Sequence, residues 1–136
     1  MILLWRQDGM SDIIELYGKN AGKLWKSLQE NGPQVRSKLL RDTELTKNEF
    51  YGALGWLARE NKIRREKRTY QLGVTNLTEE IGVYAGQIWE VLQKRNDIDV
   101  NAITRMAKVS KWDCYSALGW LAREGKISAK IAVRKK

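Results

Sequence analysis

Eight residues occur twice in this chain without a change. Ala53, Leu54, Gly55, Trp56, Leu57, Ala58, Arg59 and Glu60 return as Ala117, Leu118, Gly119, Trp120, Leu121, Ala122, Arg123 and Glu124, an offset of 64. The same offset, without a gap, carries Gly18 onto Gly82, Ala21 and Gly22 onto Ala85 and Gly86, Trp25 onto Trp89, Lys47 onto Lys111 and Ile63 onto Ile127. Over residues 18–63, 19 of 46 positions are identical, so the chain is a duplication. Two copies make a tandem rather than a solenoid. The 136 residues divide into a leader, 1–11, a first repeat, 12–73, and a second repeat, 77–136. Gly73, Val74, Thr75 and Asn76 form a short turn-prone linker that should keep the repeats close. Domains of this size have marginal cores and need large apolar anchors or a neighbour to lean on.

Within one copy, Ile13, Ile14, Tyr17, Ala21, Leu24, Trp25 and Leu28 follow helical spacing and predict a first helix over 12–30, capped by Asp12. Asn31, Gly32 and Pro33 end it. The second copy repeats this helix over 78–94, with Thr78 as its cap. Trp25 and Trp89 are read as core residues. A short helix follows at 36–43 with Leu39 and Leu40 inward, and at 100–107 with Ile103 and Met106 inward. After a tight turn, Thr46 and Glu49 make a capping box that starts a third helix, and Ser110 and Asp113 repeat the device. The third helix runs to about 60, and to 124 in the second copy. Cys114 stands where the first copy has Phe50, which makes it a small core residue rather than a reactive thiol. Asn61 and Gly125 stop these helices. Residues 62–72 then predict a hairpin, and 126–134 are strand-like without an obvious turn.

Three helices, the last two joined by a tight turn, followed by a hairpin, is the element order of a winged helix-turn-helix. The fold class expected is mainly α with small β-hairpins, two such domains in tandem. Ala21, Gly22 and Trp25, combined with the run from Ala53 to Glu60, resemble a prokaryotic family of small, largely uncharacterised winged-helix domains. The resemblance covers nearly the whole chain. It is specific for fold and less so for function, since winged helices also serve as protein-docking modules.

Net charge is +9, from 25 Lys and Arg against 16 Asp and Glu, and both repeats share it. A basic balance favours acidic partners, nucleic acid first. On the winged-helix reading, the third helix offers Lys47, Asn48 and Tyr51 in the first copy, and Lys111, Trp112 and Tyr115 in the second. Lysine reaches phosphate or guanine, Asn48 can pair with adenine, and tyrosine hydroxyls can bond phosphate. Arg64, Arg65, Lys67 and Arg68 cluster around the first hairpin turn and can neutralise phosphates or enter a minor groove. Lys130 and Arg134 are the second copy's equivalents. The alternative for these residues is a solvated, edge-protecting charge run.

Gly55 with Trp56, and Gly119 with Trp120, do not suit an ordinary DNA-reading helix. A mid-helix glycine is unfavourable unless something packs closely on it. These pairs either seat the first helix of their own domain, which we favour, or form the surface where the two copies meet. If they instead bind an outside protein, the chain is a non-enzymatic adaptor.

The chain has no histidine and one cysteine. Ser-His-Asp and Cys-His catalysis, imidazole metal sites and thiolate zinc sites are therefore excluded. No phosphate-cradling glycine loop of the nucleotide-binding kind is present. The expectation is a protein that is not an enzyme, with no cofactor and no metal. Its expected partner is double-stranded DNA, in transcription regulation. A protein partner is the alternative, no membrane is involved, and the chain is a monomer or homodimer. No apolar run has the length of a membrane span, and the cysteine-poor composition fits a cytoplasmic location.

Overall fold

In the computed structural model, residues 2–6, 12–95 and 98–132 are described, with side chains over 13–95 and 98–127. The first copy consists of α1 (Asp12–Asn31), β2 (Gln34–Val35), α2 (Arg36–Thr43), α3 (Lys47–Arg59), β3 (Ile63–Glu66) and β4 (Thr69–Leu72). It is preceded by β1 (Ile2–Arg6). The second copy contains α4 (Val83–Lys94), α5 (Val100–Ala107), α6 (Lys111–Arg123) and β5 (Ser128–Ala132). A π-helical turn, Thr78–Gly82, leads into α4. No described helix is long and apolar enough to cross a membrane.

Local chemistry sets these boundaries. Thr46 Oγ1 accepts from the Glu49 amide at 3.2 Å and the Glu49 carboxylate accepts from the Thr46 amide at 3.0 Å, so the capping box of α3 is complete. In the second copy Ser110 Oγ accepts from the Asp113 amide at 3.1 Å. Asn61 and Gly125 end the third helices with φ of 61° and 73°, the left-handed conformation that asparagine and glycine tolerate best.

The wings differ between copies. In the first, β2, β4 and β3 form an antiparallel sheet in that order, with Ile63 opposite Leu72 and Glu66 opposite Thr69. In the second, β5 pairs instead with β1, Ile2 opposite Ala132 and Arg6 opposite Ser128. The leader expected over 1–11 thus contains a strand that gives the second wing the partner its sequence lacked.

Two cores form, and each borrows from the other copy. Leu24, Leu28, Leu39, Phe50, Leu54, Leu57 and Ile63 bury together in the first copy, and Leu77 and Ile81 of the second copy join them. Ile88, Leu92, Ile103, Cys114, Leu118, Leu121 and Ile127 bury in the second, joined by Ile13 and Tyr17 of α1. Ile13 and Tyr17 are the residues equivalent to Leu77 and Ile81 at the offset of 64. The exchange is therefore reciprocal. It follows from length: a helix of 20 residues spans about 30 Å, more than the short helices of its own copy can cover.

Three expectations are corrected. Thr78 does not cap the second copy's first helix. Leu77 stands at the cap position without a side-chain cap bond, because Leu77 and Ile81 are anchored in the first core where the helix begins. Trp25 is 36% exposed, since it flanks the buried Ala21, Leu24 and Leu28 stripe rather than lying in it; Trp89 is half-buried. Met106 is exposed, and only Ile103 carries the inward face of α5 with Val100.

Cys114 is buried, and desolvation, with a smaller push from Asp113, moves its thiol up to about 12. Tyr17, in the same core, is raised for the same reason. Both groups ionise earlier in the unfolded chain, where a thiol titrates near ~8.5. The stability they contribute is full below that pH and is lost as pH rises through the folded values. At pH 8 a maleimide should label Cys114 at the rate of unfolding; labelling of the native chain as fast as of the denatured chain would contradict the burial.

Candidate nucleic-acid interface

The third helices of the two copies pack on each other. A side-chain carbon at Gly55 would fall 1.8 Å from the Ser116 carbonyl oxygen, and one at Gly119 would fall 1.9 Å from that of Gly52. Gly52, Gly55, Ser116 and Gly119 are all buried in this seam. The two helices run in the same direction, with Tyr51 against Trp112, Gly55 against Ser116 and Arg59 against Glu124. At the C-terminal end Arg59 Nε donates to Glu124 at 3.1 Å and Arg123 Nε donates to Glu60 at 2.9 Å. Each guanidinium also lies over the other copy's tryptophan, Arg59 on Trp120 at 5.7 Å and Arg123 on Trp56 at 5.8 Å. These crossed pairs are partly exposed and each is worth about 0–1 kcal/mol.

The Gly-Trp pairs thus serve both roles weighed from the sequence. The indole of Trp56 lies 3.2 Å from the place a side-chain carbon would take on Gly18, and that of Trp120 lies 3.4 Å from the same place on Gly82. The tryptophans seat the first helix of their own copy, while the adjacent glycines seat the other copy. The face offered by Gly55 and Gly119 is consequently filled from within the chain.

At the opposite end of the seam, the N-termini of α3 and α6 come together with their positive dipole ends. Lys47 and Lys111 lie over the Trp112 ring at 5.8 and 5.3 Å. Trp112 stacks on Tyr51, centroids 5.2 Å apart. Arg36, the first residue of α2, donates to the Tyr51 hydroxyl at 2.7 Å. From there a cleft of about 510 Å³ opens between α2 and the first wing, walled by Arg36, Tyr51, Arg65, Lys67, Arg68 and Tyr70. Arg65 stands opposite Tyr70 across the hairpin, which raises the guanidinium further, while burial raises the phenol; Glu80 lies 3.9 Å from the same guanidinium. Lys67 turns the hairpin with φ of 58°.

The sequence-derived residues fall into three groups. Lys47, Asn48, Tyr51, Lys111 and Trp112 gather at the helix N-termini, and Arg65, Lys67 and Arg68 line the cleft. Arg64 does not join them. It pairs with Glu66 and donates to the Val74 carbonyl at 2.9 Å, tying the wing to the linker. Tyr115 is 7% exposed and belongs to the second core, so its hydroxyl is not presented as the sequence suggested. Lys130 lies in β5, its side chain outside the described residues, as is Arg134 altogether. Sequence reasoning missed Arg36 and Tyr70. Both are separated from the wing cluster or hidden in a strand, and only the packing of α2 beside the wing brings them to it. Among the described residues no group of three or more His, Cys, Asp or Glu is placed to hold a metal ion.

Three helices with a tight turn between the second and third, and a β-wing after them, define a winged helix-turn-helix domain, here present twice. The chain belongs to the family described as winged helix-turn-helix domain (DUF2582), whose sequence profile matches residues 10–76 and again 77–135. No curated protein and no solved structure matches the chain. Domains of this fold in general bind DNA and are not enzymes.

Proposed function

We propose that this chain is a non-enzymatic, double-stranded DNA-binding protein acting in transcription regulation. The observation that carries the reading is the continuous basic and aromatic band from Lys111, Trp112 and Lys47 through Tyr51 and Arg36 to the first wing. Lysine and arginine donors spaced along such a band suit the phosphates of a duplex, and helix N-termini favour the same charge. The net charge of +9 adds long-range attraction. The adaptor reading is weaker, because the glycine faces it relied on are filled by the other copy.

Titration of the chain into a labelled duplex at several salt concentrations tests this. Affinity should fall steeply with salt, with a log–log slope near about −0.9 for each phosphate engaged. Absence of binding even at low salt would remove the DNA reading.

A further inference from the structure

Resting on that reading, we infer that the duplex is gripped by its phosphate backbone in the first copy's cleft between α2 and the wing, and that the grip is nearly indifferent to base sequence. Arg36, Tyr51 and Tyr70 act there with Arg65, Lys67 and Arg68.

Three observations lead to this. First, the base-reading face of a helix-turn-helix is unavailable. Gly52, Gly55, Tyr115, Ser116 and Gly119 are buried, the glycines and Ser116 in the seam between α3 and α6. An α-helix with side chains is about 10–12 Å across and packed helices lie roughly 8–10 Å apart, whereas the major groove is about 12 Å wide. The pair cannot enter a groove together; only its N-terminal tips reach the duplex.

Second, the cleft is built from phosphate donors. Arg36 is oriented by the Tyr51 hydroxyl at 2.7 Å, and Arg65 stands opposite Tyr70 across the hairpin with Glu80 3.9 Å from its guanidinium. Fixing a guanidinium in advance reduces what is lost when it meets a phosphate. Lys67 and Arg68 are exposed at the mouth.

Third, the described residues of the second copy hold no counterpart. At the offset of 64, Arg36 becomes Val100, Arg65 becomes Ala129, Lys67 becomes Ile131 and Arg68 becomes Ala132. Val100 is itself buried. Among its described residues the second copy therefore supports the fold and contributes Lys111 and Trp112 to the band, without a clamp of its own.

The test uses the full chain and fluorescence anisotropy at fixed salt. A panel of unrelated duplexes of equal length should bind within about tenfold of one another, where specific sites exceed non-specific ones by roughly a thousandfold or more. The triple variant Arg36→Gln, Lys67→Gln, Arg68→Gln should lower the salt slope by up to about 2.7, at ~0.9 for each contact. A control with the same charge loss on the second copy, Lys94→Gln, Arg105→Gln, Lys108→Gln, should leave the slope unchanged. All six side chains except the half-buried Arg36 are exposed, so both variants should fold. Arg36→Lys should retain the slope. Equal loss of slope in the two triple variants would overturn the clamp while leaving DNA binding intact. So would one duplex bound a thousandfold tighter than the rest. No binding by the unmodified chain would end the DNA reading and the clamp together.

Discussion

Gly55→Ala and Gly119→Ala should each destabilise the protein by about 3 kcal/mol or more, beyond the usual range for an added methyl in a packed core. The reason is what the methyl meets. At both sites the obstacle is the backbone of the other third helix, within 2 Å of the new carbon, and backbone cannot turn aside as a side-chain tip can. The helices must separate, and separation strips packing from both cores at once. The internal control is Gly22→Ala and Gly86→Ala. Those glycines are exposed on their helices with nothing within 4 Å of the added carbon. Relief of glycine's backbone entropy should then stabilise the chain by about 0.5–1 kcal/mol. Urea denaturation of the four variants checks the opposite signs, and a neutral Gly55→Ala would refute the seam.

Ile13→Ala should cost about 2–5 kcal/mol, the range for a fully buried aliphatic side chain. Its effect should be felt in the wrong place by sequence. Ile13 belongs to the first copy, yet it lies in the core of Ile88, Ile103 and Leu118. Native-state hydrogen exchange should show the larger loss of protection in α4 and α6. Leu77→Ala should do the reverse, loosening α1 and α3, because Leu77 sits with Leu24, Phe50 and Leu54. If each substitution loosened only its own copy, the exchange of first turns would be wrong.

The sequence made the repeat, the starts and stops of the third helices and the first hairpin legible, because each rests on local chemistry: a capping box at Thr46 and Glu49, a left-handed Asn61, a polar turn between two strand-forming runs in the wing. The reciprocal exchange was not legible. Ile13 and Tyr17 lie on the same helical stripe as Leu24, and periodicity cannot say which core the upper part of a stripe enters. The pairing of β1 with β5 joins opposite ends of the chain, which no local rule connects. At the interface the basic cluster could be counted, but not sorted. Arg64 and Arg65 are neighbours in a strand, so their side chains leave on opposite faces, one toward the linker and the other toward the cleft.

The short linker has a thermodynamic consequence. Two separate winged helices meeting through a glycine seam would dissociate on dilution, and their stability would depend on protein concentration. Here four residues tether the partners, so the second event is intramolecular, at an effective concentration on the order of millimolar. Assembly is thereby independent of expression level. Symmetry is also no longer enforced: an identical pair must carry every surface substitution twice, whereas a fused pair can keep Arg65, Lys67 and Arg68 in one copy and Ala129, Ile131 and Ala132 at the matching positions of the other.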